Sequence, residues 1–345
     1  MYPWHEASFQ SVRAGESRLA HAILLQAPDG TVLFGFAMAW AQALLCESAG
    51  GSEQACDRCL ACGWFIAGNH PDFRLVQPDS HVVEADAPAD GAAPVATTAR
   101  EREKKSDQIR IDQVRELAGF LNIGTHRAGR RVVVLHPADT MNTATQNALL
   151  KNLEEPAPGT IFMLASARSH RLLPTVRSRC QTITLPRPAP ESALQWLQAE
   201  GVADAEGLLG LSGGAPLLAL ELAERADFLD QLAGQLANRR FDPLLVAALC
   251  QRAPPVEVVT ALYRWCYDLL SSRLGGGVRY HAARRAAVDA LAASCSPRLI
   301  AAYLRQLARA RSLAEHPLNP RLFMEDLMLG YLAMLEGRAA RPGQP

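Results

Sequence analysis

Short, almost wholly apolar runs separated by helix-length stretches constrain the fold of this chain more than any other feature. His21-Ala-Ile-Leu-Leu-Gln-Ala27, Val132-Val-Val-Leu135 and Ile161-Phe-Met-Leu-Ala165 offer water no polar face. Runs of this kind belong to parallel strands that helices cover on both sides. Phe73-Arg-Leu-Val76, preceded by His70-Pro71-Asp72, reads as a further strand. Between these runs, a helical stretch extends to Leu45, and Val114, Leu117, Phe120 and Leu121 recur at helical spacing. Thr143 to Leu153 reads as a helix ended by Glu154-Glu155-Pro156. Strand alternating with helix through residue 185 predicts an α/β domain with a parallel sheet.

The alternation stops at Pro186-Arg-Pro-Ala-Pro190, where three prolines in five residues fit neither a strand nor a helix interior. Beyond this linker no strand pattern recurs. Residues 186–227 read as short helices around a Gly213-Gly214 turn. Residues 228–337 read as a larger helical region with breaks at Pro254-Pro255, Gly275-Gly276-Gly277, Ser296-Pro297 and Asn319-Pro320. A chain of 345 residues has room for such a division. Residues 79–107 are rich in Ala, Pro, Asp and Thr and then in Arg, Glu and Lys, so they carry too little apolar surface to offset their ordering entropy and are expected to form a mobile insertion. Residues 338–345 are expected to be a disordered tail.

Charge excludes some functions. The 35 basic side chains balance 35 acidic ones, which argues against a stand-alone nucleic-acid binder relying on basic excess. The segment Met1-Tyr-Pro-Trp-His-Glu-Ala-Ser lacks the basic start and apolar core of a signal peptide. The best apolar stretch, Thr31 to Leu45, falls short of the ~20 residues that span a bilayer. The expected compartment is the cytoplasm, with no membrane partner.

The cysteines divide unevenly. Cys46, Cys56, Cys59 and Cys62 lie close together in a polar Gly-Ser-Glu-Gln setting, while Cys180, Cys250, Cys266 and Cys295 are scattered. Two overlapping Cys-x2-Cys units with a fourth cysteine upstream suit tetrahedral thiolate ligation, with zinc or iron–sulfur as the candidates. Four sulfurs leave no open position, so such a metal is structural. Cys250, Cys266 and Cys295 lie in apolar helical surroundings and read as small packed hydrophobes.

A phosphate loop needs a glycine, a lysine and a hydroxyl after the first strand, to admit phosphate, neutralise it and hold magnesium. That place reads Ala27-Pro-Asp-Gly30-Thr-Val-Leu33-Phe34. Val32 stands where the final glycine belongs, and Leu33 and Phe34 stand where the lysine and hydroxyl belong. The strand that should end in Asp-Glu for the metal ends in Leu135-His136-Pro137, and Asp139 comes three residues too late to substitute directly. Neither half of an ATP site is intact.

Several segments together resemble the clamp-loader branch of the AAA+ superfamily. They are His21-Ala-Ile-Leu-Leu25, the cysteine cluster, His70-Pro-Asp72, Ala148-Leu-Leu-Lys-Asn-Leu-Glu-Glu-Pro156, Leu173-Pro-Thr-Val-Arg-Ser-Arg-Cys180 and Gly213-Gly-Ala-Pro216. The resemblance covers the chain apart from residues 79–107. It implies an AAA+ parallel-sheet domain over residues 1–185 with a zinc module at 46–62, then a small helical lid at 186–227 and a helical collar at 228–337. It also implies that Arg179 projects into the ATP site of a neighbouring subunit, that zinc is the metal, and that Arg177 is structural. Local pairing of Arg179 with Glu154 or Glu155 is the alternative. Ser166 falls at a phosphate-sensing position, where it is read as residual, and Leu217 replaces a sensing arginine.

The implied role is a non-catalytic stator in a bacterial replicative clamp loader, part of the DNA polymerase III holoenzyme. Its partners are gamma/tau motor subunits and a delta subunit in a hetero-pentamer, the sliding clamp, and primed DNA through the assembled complex. The chain itself is expected to bind no ATP. The rival reading is an active AAA+ motor with a variant phosphate loop. A zinc-bearing DNA-binding module is a third, weakened by having only Arg58 and Arg74 near the cysteines. His70 is expected to end a helix and His81 to lie in the insertion.

Overall fold

The computed structural model describes residues 2–27, 31–48, 54–81, 106–126, 129–238, 240–314 and 319–337. Gly30, most of the expected insertion (82–105) and the tail lie outside the described residues. Two compact units divide the chain at Pro188/Ala189, inside the proline-rich stretch.

The first unit is built on five parallel strands: β1 (Ala22–Gln26), β2 (Phe73–Val76), β3 (Arg131–Leu135), β4 (Thr160–Ser166) and β5 (Gln181–Thr184), in the order β2-β3-β4-β1-β5. Leu24 pairs with Leu164 and Val133 with Phe162. β3 and β4 are buried along their whole length, which is why their sequences are continuous rather than alternating. β5 is different. Gln181, Thr182 and Thr184 are exposed on an edge that pairs only with β1, so a search for apolar runs passes over it.

The helices of this unit are α1 (Glu6–Ala14), α2 (Thr31–Leu45), α3 (Leu60–Ile66), α4 (Ile111–Asn122), α5 (Thr143–Glu154) and α6 (Pro174–Arg177). α2 carries almost no polar residue because it is enclosed: Leu33, Phe36, Ala37, Trp40 and Ala41 are all fully buried. Each large side chain among them contributes roughly 1.5 to 3 kcal/mol by leaving water. The rings of His5 and Phe9 meet Phe36 edge-on and clasp α1 to α2. α4 buries Val114, Leu117 and Phe120 on one face, and the Arg74 and Arg131 guanidiniums both stack on the Phe120 ring. Asp79–His81 forms a single 3-10 turn, and Ser80 N–H donates to Ser106 O at 3.2 Å, so the two described ends of the inserted segment meet.

The second unit is entirely helical among the described residues. α7 (Pro190–Ala199), α8 (Ala205–Leu211) and α9 (Pro216–Ala223) share a small core of Ala193, Leu197, Leu208, Leu209 and Ala219. Gly213 and Gly214 connect α8 to α9 with φ of 75° and 89°, which glycine adopts at little cost. α10 (Ala226–Leu236), α11 (Pro243–Cys250), α12 (Pro255–Arg273), α13 (Arg285–Ser294), α14 (Pro297–Leu313) and α15 (Pro320–Leu335) enclose a larger core. Prolines open α7, α9, α11, α12, α14 and α15, where their missing N–H is not needed. Trp265 Nε1–H donates to the Tyr331 hydroxyl, which donates to Leu236 O, both at 2.8 Å, tying α12, α15 and α10 together. Gly330 lets α15 approach α14, since a Cβ there would stand 3.0 Å from the Tyr303 ring. Asp268 is fully buried. Burial opposes its charge, but the His281 imidazole and the N–H groups of Arg279, Tyr280 and His281 hold its pKa below the usual carboxylate range.

Candidate functional site

In an open parallel sheet the ligand crevice lies beyond the carboxyl ends of the strands where the chain reverses direction. Here β1 leads away past β4 and β3 to β2, while β4 leads to the opposite edge at β5. The residues beyond the ends of β1, β3 and β4 therefore decide whether phosphate can be held.

Among the described residues they bring apolar side chains and closed polar pairs to this place. Leu33, at the lysine position, is fully buried in the core, and Val32 is 3% exposed. Phe34, at the hydroxyl position, packs on the ring of His136 with centroids 5.1 Å apart. Burial, reinforced by nearby His81, pushes the His136 imidazole down to about 4, so it is neutral at physiological pH. The two degenerate motifs thus meet in an uncharged contact where a phosphate site needs cationic and metal-binding groups.

Asp139 is buried in the 3-10 turn after β3, and both its oxygens are occupied. Ser166 Oγ donates to Oδ1 at 2.8 Å and Arg168 Nε donates to Oδ2 at 2.8 Å. Ser166, at the end of β4, is therefore a member of a closed polar network with Asp139 and Arg168. The sequence places Asp139 too late in the chain to act, and in the structure both its carboxylate oxygens are already engaged. Arg168 was missed, although its position two residues beyond Ser166 was the available signal.

Arg179 lies just beyond α6. Gln146, buried on α5, accepts from Leu173 N–H at 2.7 Å and donates to Met141 O at 2.9 Å, fixing the chain that leads into α6. His21 Nε2–H donates to Leu153 O at 2.8 Å and secures the end of α5. Against this frame Arg179 Nη2 pairs with Glu154 Oε1 at 2.6 Å, while Nη1 donates to Thr175 O at 2.9 Å. The two side chains are 36% and 48% exposed. Arg177 is exposed and makes no ion pair among the described residues.

The four clustered cysteines converge. Their sulfurs all lie within 4.8 Å of one another, with Cys46–Cys59 at 4.0 Å and Cys56–Cys62 at 3.9 Å. Sulfurs placed tetrahedrally about a zinc at ~2.3 Å stand roughly 3.8 Å apart, so this donor set fits a metal ion. Cys46 follows α2, Cys59 caps α3 and Cys62 lies in its first turn. Asp57, with φ of 53°, turns the chain between Cys56 and Cys59, and Gln42 donates to its carboxylate. The Ser48 hydroxyl and the N–H groups of Arg58 and Cys59 point at the Cys56 sulfur and lower its pKa to about 6. Burial opposes ionisation of Cys59, yet donors led by Cys62 N–H leave it below the usual thiol value. Cys62, the most enclosed, is pushed up to about 12 by burial.

The remaining candidates are structural or remote from this chemistry. His70 follows the end of α3 and is 2% exposed; its Nδ1 accepts from Asp72 N–H at 3.0 Å, so it shapes the turn into β2. His81 ends the turn at the edge of the inserted segment. Leu217 lies half-buried on α9 in the second unit. Cys250, Cys266 and Cys295 are buried, and burial raises the pKa of each. No helix among the described residues is long and apolar enough to cross a membrane.

Comparison with known proteins gives consistent matches. The profile of the family described as DNA polymerase III, delta subunit, matches residues 7–189, and that of its C-terminal region matches residues 220–331. The chain is 38% identical over 226 residues to the DNA polymerase III subunit delta' of Pseudomonas aeruginosa, covering 64% of this chain and 61% of the relative. It is 30% identical over 348 residues to the subunit of that name from Escherichia coli, covering 95% and 94%. For the Haemophilus influenzae subunit of that name the identity is 28% over 285 residues, covering 79% and 78%.

Proposed function

The chain belongs to the DNA polymerase III delta subunit family, and on that premise we propose that it is a non-catalytic AAA+ stator of the bacterial replicative clamp loader. The observation that carries the non-catalytic reading is the Phe34–His136 contact, supported by the buried Leu33. Binding ATP in this crevice would require parting these rings and supplying a cation that neither position holds.

The stator contributes chemistry to a neighbour. Arg179 extends a guanidinium from the surface beyond α6, a group that stays charged and makes forked contacts to phosphate oxygens. In an assembled ring with gamma/tau motor subunits and delta, it would stabilise charge on the phosphate being transferred in the adjacent motor. Such arginines are worth ~10³ to 10⁵ in rate in related systems. The loader opens the sliding clamp and places it on primed DNA, and this chain supplies geometry and one arginine.

Cys46, Cys56, Cys59 and Cys62 would hold a zinc ion. The ion supplies a fixed crosslink between the end of α2 and the start of α3, without an open coordination position for catalysis. In the second unit Leu244, Leu245, Leu274, Leu322 and Leu329 are each at least half exposed, which suits a helical collar that packs on other subunits. The working compartment is the cytoplasm, where a replicative loader meets DNA.

The test is ATP turnover by the reconstituted loader with clamp and primed DNA. Arg179→Ala is expected to lower turnover by about tenfold or more with the complex still assembled by gel filtration. Unchanged turnover in the intact complex would reduce the chain to a scaffold. Titration of the isolated chain with millimolar ATP is expected to give no heat; saturable micromolar binding would restore the motor reading.

A further inference from the structure

We propose that Glu154 is a positioning residue for Arg179, holding its guanidinium on the chain's own surface until a neighbouring phosphate takes it over. The proposal rests on the reading of Arg179 given above and adds to it a named competitor for that arginine. Glu154 is the last residue of α5, and the helix end is fixed by the His21 bond to Leu153 O. The backbone of Glu154 is thereby held beside α6, and the ion pair with Arg179 places its carboxylate there. Arg179 meets it at 2.6 Å and at the same time caps the short helix α6 through Thr175 O at 2.9 Å. One guanidinium edge is held by a charged acceptor and a neutral one, and further N–H donors remain for a third partner, since guanidinium carries five.

Exposure makes the arrangement exchangeable. At 36% and 48% exposed, the two side chains open onto solvent, where an ion pair is weak and screened by salt. A phosphate carries more charge than a carboxylate and offers more oxygens, so it can displace Glu154 without moving the backbone. The exposed Arg177, two residues earlier, has no ion-pair partner among the described residues, so the restraint falls on Arg179. Glu155, the next residue after α5, has no ion pair with Arg179 either, which leaves Glu154 as the carboxylate to test.

The consequence is a threshold. A guanidinium that must leave Glu154 before engaging contributes less to turnover than a free one, by the strength of the exposed pair. Glu154→Gln keeps the size of the side chain and removes its charge. In the reconstituted loader it is expected to raise the turnover rate at saturating ATP about two- to fivefold at low salt. The gain should shrink toward wild type at about 0.5 M salt, where the pair is already screened. A residue that merely supported the fold of α5 would give no such salt-dependent gain. In the Arg179→Ala background, Glu154→Gln should change nothing.

The outcomes separate the two ideas. If Arg179→Ala lowers turnover while Glu154→Gln leaves it unchanged or lowers it, the restraint by Glu154 is wrong and the role of Arg179 stands. If Glu154→Gln acts equally with and without Arg179, the carboxylate works through some other group and the proposal fails. If Arg179→Ala itself has no effect in the assembled complex, both readings fall together.

Discussion

The crevice at the carboxyl ends of β1, β3 and β4 and the cysteine knuckle between α2 and α3 lie in one unit and treat their polar groups in opposite ways. In the crevice the groups close on one another: Phe34 packs on His136, and Asp139 is spent on Ser166 and Arg168. At the knuckle four sulfurs converge within 4.8 Å, with N–H and O–H donors aimed at them. In the crevice side chains pack on and pair with one another, as the free-energy cost of an empty cavity or an unsatisfied buried polar group favours. At the knuckle four thiols face one another, an arrangement that a bound cation would make favourable.

The largest expected effect is at the knuckle. The purified chain should carry about one zinc, and Cys59→Ser should bring that near zero, since structural zinc sites gain much of their folding free energy from the ion. Metal analysis and limited proteolysis measure this together: the variant, or the wild type treated with a strong chelator, should be cut between residues 46 and 62. A metal-free wild-type chain with a protected knuckle would remove the contrast.

Next in size is an attempt to reopen the crevice. Leu33→Lys puts an ammonium at a fully buried position, and an uncompensated charge there is expected to cost about 3 to 5 kcal/mol. Denaturant unfolding should show the loss, and Leu33→Lys/Phe34→Thr should still bind no ATP. Recovery of ATP binding by that pair would mean that the crevice is only undersupplied and not closed.

The smallest expected effect is a pH dependence from His136. Its folded pKa of about 4 lies below the ordinary 6.5, so between these values the unfolded chain binds more protons than the folded one. Stability contributed by keeping this ring neutral is present above about 6.5 and is lost as pH falls toward 4. The loss is at most about 3 kcal/mol. The difference between wild type and His136→Gln, followed by urea unfolding from pH 7 to pH 4, isolates the contribution of this group. Parallel curves would show that the Phe34–His136 contact leaves the imidazole accessible.

Much of this is legible in the sequence. The strands β1, β3 and β4 announce themselves because each is a local apolar run buried on both faces, and β2 because Phe73 and Val76 frame a short run with buried ends. The missing lysine and hydroxyl at Leu33 and Phe34 are likewise a property of a few consecutive residues, as is the Cys56-x2-Cys59-x2-Cys62 spacing. β5 was not legible, since an edge strand with Gln181, Thr182 and Thr184 exposed has no apolar pattern to reveal it. Arg168 was passed over because its partner Asp139 lies on a different strand connection.

The sequence by itself therefore determined the α/β class, the absence of a lysine and a hydroxyl at Leu33 and Phe34, and the metal-ligand spacing of the four cysteines. These depend on residues that are neighbours along the chain, where spacing and chemistry can be read directly. Only the tertiary structure decided that Phe34 covers His136, that Asp139 is consumed by Ser166 and Arg168, and that Glu154 holds Arg179. Each of these pairs joins segments whose proximity follows from strand order and helix docking. Those are settled by the summed burial of the whole core, to which no single segment's pattern corresponds.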